Sequence, residues 1–145
     1  MFRHILLPTD GSAASENAIE QSVRFAGEIG AKVTGIYVIP KFHVITTQTE
    51  MLEDTRERYE KDSKEYAEKY LTVIETAARE AHILCETMYV SSDHPYEEII
   101  KAAEERQCDL VAMASHGRRG MQGLLLGSET QKVLTHCRIP VLVYR

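Results

Sequence analysis

Ala114-Ser115-His116-Gly117 is followed, after nine intervening residues, by Gly127-Ser128, a spacing that suits the capture of an anion. Glycine lets the backbone approach a ligand closely and turn its N–H groups toward it. A helix starting at Gly127-Ser128 would add about half a positive charge behind those groups. Phosphate is the guest such a loop fits. Within the segment, Gly117, Gly120 and Gly123 divide Arg118-Arg119 from Met121-Gln122, and Leu124-Leu125-Leu126 supplies an apolar anchor. Ser128-Glu129-Thr130-Gln131 matches a capping box, with a hydroxyl at the N-cap and an amide side chain three residues later. Ser128 is therefore expected to cap the helix, either as its whole role or beside a bound phosphate, since other N–H groups still face outward. Short glycine motifs also arise by chance, so the loop alone leaves ligand binding and plain turn-making both open.

A second polar segment, Thr9-Asp10-Gly11-Ser12, follows the apolar run Ile5-Leu6-Leu7. The Asp10 carboxylate can accept hydrogen bonds from an amine or hydroxyl of a ligand, or it can cap the next helix. Ser12 is better placed as the cap, which leaves Asp10 freer and favours the ligand role, with Thr9 and the backbone at Pro8 beside it. Of six histidines, His116 alone lies in the anion loop, where it donates to a phosphate oxygen, titrates near neutrality, or points to solvent. His4, His43, His82 and His136 are expected at the surface or at strand ends, and His94 in a turn. No Ser/His/Asp grouping, H-E-x-x-H pair, EF-hand, Walker lysine or G-x-G-x-x-G is present. The chain is equipped to bind, with little visible means to catalyse. Slow hydrolysis of a bound triphosphate would have Asp10 and His116 as its only candidates.

These residues need elements to position them. Seventeen basic and 22 acidic side chains give a net charge of −5 over 145 residues that are 43% hydrophobic, which suits one compact domain and repels nucleic acid. Phosphate affinity must then be local, with Arg118, Arg119 and Lys132 as its candidates or as an ordinary solvated face. Cys85, Cys108 and Cys137 are odd in number and lack metal spacing, so reduced core thiols are expected. Neither a signal peptide nor a run of the ~18 apolar residues that would cross a bilayer is found, and a soluble cytoplasmic protein is expected.

Along the chain, apolar runs alternate with helical periodicity. His4 to Leu7 predicts a strand, and Ser12 to Ile29 a helix with an inward stripe of Ala14, Ala18, Ser22, Phe25 and Ile29. Lys32 to Ile39 predicts a second strand. The pattern lapses from Pro40 to about Gln48, and a long polar helix then runs to about Ala81, its stripe of Tyr59, Tyr66, Tyr70, Val73 and Ala77 being core or an aromatic partner surface. Ile83 to Val90 is a third strand, Pro95 opens a helix facing inward through Tyr96, Ile99, Ile100 and Ala103, and Asp109 to Ala114 is a fourth strand. A helix from Ser128 to about Cys137 and a strand over Pro140 to Tyr144 close the order. Helical connections force parallel pairing, so the expected fold is α/β: a single open twisted five-stranded sheet with helices on both faces. Ligands bind such sheets at the strand carboxyl ends where strand order reverses, which brings Asp10 next to the glycine loop.

Leu-Pro-Thr-Asp-Gly-Ser12, Met-Ala-Ser-His-Gly117, Gly127-Ser128 and the tail Ile-Pro-Val-Leu-Val143 together resemble the universal stress protein family over essentially the whole length. Its nucleotide-binding members carry Gly-x2-Gly-x9-Gly-Ser/Thr. Here Gly117, Gly127 and Ser128 match, and Ala114 replaces the first glycine. The resemblance implies a Rossmann-like, adenine nucleotide alpha hydrolase-like sheet of strand order 3-2-1-4-5. It implies ATP or AMP, with Mg²⁺, the adenine near Asp10 and the Val38 backbone. Ribose and phosphates would then lie along Met113, Ala114, His116 and Gly117 and along Gly127, Ser128 and Glu129. A homodimer through the last strand, an unidentified protein partner and a regulatory role in stress responses are also implied, the alternatives being a module that binds no nucleotide or a slow ATPase.

Overall fold

Side chains of His4–Thr9 alternate between two hydrophobic cores, which makes this strand, β1, the middle of the molecule. All six residues are buried. Ile5 and Leu7 join Ile19, Val23, Leu71 and Ile74 on one face, while Leu6 joins Ile36, Ile99, Val111 and Val133 on the other. A strand covered on both sides in this way belongs inside a parallel sheet. The computed structural model describes residues 1–43, 49–117 and 126–145, of which 49–54 as backbone alone. The expected elements in the segment 118–125, Arg118 and Arg119 among them, lie outside the described residues. After β1 come α1 (Ala13–Ile29), β2 (Lys32–Ile39), α2 (Thr49–Glu80), β3 (Cys85–Ser91), α3 (Pro95–Glu105), β4 (Leu110–Ala114), α4 (Ser128–His136) and β5 (Val141–Tyr144). The strands are parallel in the order β3-β2-β1-β4-β5, as expected.

Several local expectations are corrected. Ser12 does cap α1, accepting from Ser15 N at 3.2 Å, but its buried face is Ser15, Ala18, Ile19, Ser22, Val23 and Ala26. The expected Ala14, Phe25 and Ile29 flank it, because the centre of the face lies one position further along at each end. On α2 the expected stripe is core only in part: Tyr70 is buried and Ala77 packs against the core, but Tyr66 is 52% exposed, and the buried line runs through Ala67, Tyr70, Leu71, Ile74 and Ala78. Small residues let the helix lie close enough for Ile74 to fill the space over Gly35, where a Cβ would come within 2.6 Å of it. β3 starts at Cys85 because Ile83 N is drawn back to Ala78 O (3.0 Å) at the end of α2. β5 pairing starts at Val141, since Pro140 has no N–H to give.

His4, expected at the surface or a strand end, stands at the strand start but is 5% exposed. Its Nε2 lies 2.7 Å from Thr34 Oγ1, and burial, then the Lys32 charge, lowers its pKa below the usual histidine value. The Asp109 carboxylate accepts from the N–H groups of Arg3 and His4 and pins the start of β1. The three cysteines are free, Cys108 buried and the other two half-buried; burial pushes the Cys85 and Cys108 thiols up to about 11. Among the described residues no helix is long and apolar enough to cross a membrane.

Candidate functional site

Strand order reverses between β1 and β4, and there the sheet opens. β1 pairs with β2 from His4 through Thr9, yet with β4 only at Ile5 and Leu6. Pro8, Thr9 and Asp10 therefore stand above the last β1–β4 partners, at the mouth of a crevice.

The turn after β1 is tightly built. Asp10 Oδ1 accepts from Ser12 N at 2.9 Å and from Ser15 Oγ at 2.8 Å. Gly11 N donates to Thr9 Oγ1 at 3.1 Å. Gly11 has φ +77°, and a Cβ there would sit 2.4 Å from the Tyr70 ring, so α2 presses on this turn. Asp10 is thus less free than expected: one oxygen secures the start of α1. The other lies against Gly117, where a Cβ would be 2.1 Å from Oδ2.

Across the crevice, β4 and the start of α4 are laced together at their base. Gly127 N donates to Ser115 O at 2.6 Å, and Thr130 Oγ1 donates to Ala114 O at 2.9 Å. A Cβ on Gly127 would meet His116 Cα at 3.1 Å and Ser115 O at 3.3 Å, so glycine permits this approach. Gly127 is also the N-cap of α4, with no side-chain cap bond. The expected capping box is therefore overturned: Ser128 is the first helical residue and is exposed. The Gln131 side chain donates instead to Leu126 O at 3.1 Å. Gln131 N to Gly127 O, at 3.0 Å, closes the first turn, so the N–H groups of Ser128, Glu129 and Thr130 precede the intrahelical ladder. Glu129 turns its side chain elsewhere, accepting from Tyr96 N at the start of α3 (3.0 Å) and from Lys132 Nζ (3.3 Å). Lys132 is thereby paired on the α4 surface and stands over the Tyr96 ring at 5.5 Å.

The crevice is a cavity of about 730 Å³, and Pro8, Thr9, Asp10, Val38, Met113, Ala114, His116, Gly117, Gly127, Ser128 and Glu129 all line it. Sequence reasoning missed His43, Ser92, Asp93 and Thr130, which line it too. Ser92 and Asp93 follow a strand carboxyl end as Asp10 does, and that signal could have found them; His43 had none. Among the described residues the wall carries Asp10, Asp93 and Glu129, with His43 and His116, but no lysine or arginine.

A model of the universal stress protein family matches residues 1–145. Universal stress protein MJ0531 of Methanocaldococcus jannaschii is 29% identical over 145 residues, 100% of this chain and 83% of that protein. The solved structure of MJ0577 superposes with a TM-score of 0.83 at 28% identity, covering 99% of this chain and 95% of the other. A universal stress protein solved in complex with cAMP shares the fold, with a TM-score of 0.70 and 21% identity over 99% and 97% of the two chains. With every residue matched and the same sheet beneath the crevice, the chain belongs to the universal stress protein family.

Proposed function

We propose that this chain is a cytoplasmic regulatory protein of the stress response that binds ATP in the β1/β4 crevice. One observation carries this reading: the glycine-capped start of α4 meets Gly117 and the Asp10 turn around a single cavity of about 730 Å³, within the range of roughly 300–1,000 Å³ usual for small-ligand sites. In this arrangement the adenine lies near Asp10 and the Val38 backbone. The ribose and phosphates run along Met113 to Gly117 and meet the N–H groups of Ser128 and Glu129 beside Gly127, whose own N–H is held by Ser115 O. Glu129 takes part through its backbone, because its carboxylate is already held by Tyr96 N and Lys132. Ser128 Oγ and His116 supply further donors. The acidic wall argues that the triphosphate enters with Mg²⁺, and the ion would ride on phosphate oxygens, since no three His, Cys, Asp or Glu side chains gather as a metal site among the described residues. The fold seen with cAMP supports an adenine nucleotide by analogy.

The apolar edge Val141-Leu142-Val143 supports a homodimer through β5, and free cysteines fit a reducing compartment. A second reading, a protein-interaction module that binds no nucleotide, is favoured by Ala114 in place of glycine and by the acidic wall. Titration calorimetry with ATP, AMP and adenosine, each with Mg²⁺, separates them. Heat with ATP that fades with adenosine supports the first; no heat with any of the three overturns it.

A further inference from the structure

Residues 40–43, which leave β2 on the far side of β1 from α4, form a strap along the crevice. The strap is gripped from two directions. On α2, the Tyr59 hydroxyl donates to Pro40 O, and the Tyr59 ring packs on Phe42 with centroids 5.3 Å apart. On the other side stands Asp93, in the turn after β3, both of whose carboxylate oxygens are spent on the strap: Oδ1 accepts from Lys41 N at 3.1 Å, and Oδ2 lies 2.8 Å from His43 Nε2. Asp93 is itself fixed, because Ser92 N donates to Ile39 O at 2.9 Å and His94 N to Ser92 Oγ at 3.1 Å. Pro40, His43, Ser92 and Asp93 all line the cavity.

We infer that Asp93 is a positioning residue for ligand retention: by clasping Lys41 N–H and His43 it holds the strap as the β2-side wall, and so sets how fast a bound nucleotide escapes. The inference rests on the nucleotide reading above. The anionic end of the ligand is assigned to the start of α4, on the other side of β1 from the strap, so encounter does not depend on the strap. Escape does, because a nucleotide leaving along the β2 side must displace residues 40–43.

The test is stopped-flow release of N-methylanthraniloyl-ATP, preloaded with Mg²⁺ on the full chain and chased with unlabelled ATP. Asp93→Ala should speed release about tenfold, the effect of roughly one charge-assisted hydrogen bond, with the association rate unchanged. Asp93→Asn, which keeps an acceptor for Lys41 N–H, and His43→Ala should fall between it and the parent. Should Asp93→Ala fail to fold by circular dichroism, these two variants decide. A parent that binds the probe while all variants release it at the parental rate, or variants slowed only in association, overturns this inference and leaves the nucleotide reading standing. A parent that does not bind removes both.

Discussion

Gly117→Ala probes the closest contact across the crevice. A Cβ at position 117 would lie 2.1 Å from Asp10 Oδ2 and 3.2 Å from Cγ, more than 1 Å inside ordinary contact. A free carboxylate would swing aside at little cost. Asp10 cannot do so cheaply, because its other oxygen is bonded to Ser12 N at 2.9 Å and Ser15 Oγ at 2.8 Å. Either the clash is kept, as overpacking worth about 1–3 kcal/mol, or a hydrogen bond to a charged acceptor is lost, worth about 1.5–3 kcal/mol. Both routes give a destabilisation of about 1–3 kcal/mol, read as a lower urea midpoint at constant slope. The decisive comparison is a double-mutant cycle. In an Asp10→Ala background the obstructing atoms are gone, so Gly117→Ala should cost less than about 0.5 kcal/mol, and the coupling should nearly equal the single-mutant loss. A single variant as stable as the parent, or strictly additive effects, would refute the claim that the β1 and β4 turns are pressed together through Asp10.

Glu129→Ala should destabilise the chain by about 1 kcal/mol through loss of the acceptor at Tyr96 N, measured by urea unfolding. The same variant should keep its ATP affinity within about twofold, because only the Glu129 backbone is assigned to the nucleotide; a large loss would show that the carboxylate contacts ligand. His4 gives a pH dependence whose sign follows from its lowered pKa. The unfolded chain takes up a proton near pH 6.5 that the folded chain resists, so His4 withdraws stability as pH falls from about 6.5 toward its folded value. In thermal melts between pH 7 and 5, His4→Gln should flatten part of the parental decline, and an unchanged slope would count against it.

Much of this was legible because the strongest signals are local. The unbroken apolar run Ile5-Leu6-Leu7, the Asp109–Ala114 run and the helical stretches between them point to a parallel sheet, while the strand order rests on the family resemblance. Ser12 as a cap and Pro95 at a helix start needed only neighbouring residues. The failures are tertiary. Periodicity made Tyr66 a core residue, but it is 52% exposed and its neighbour Ala67 is the buried one. Ser128 fits a capping box in sequence, yet Gly127 N is drawn to Ser115 O, and the helix starts with glycine as its cap. Glu129 and Tyr96 are 33 residues apart, and His43 and Asp93 are 50 apart. No windowed pattern joins such pairs.

Amide chemical shifts of the ¹⁵N-labelled chain during titration with Mg²⁺–ATP report most directly on whether the start of α4 grips a nucleotide's phosphates. Saturable shifts at Gly117, Gly127, Ser128 and Glu129, absent with adenosine, are the predicted result; an unmoved set of these four amides at saturating ATP would contradict it.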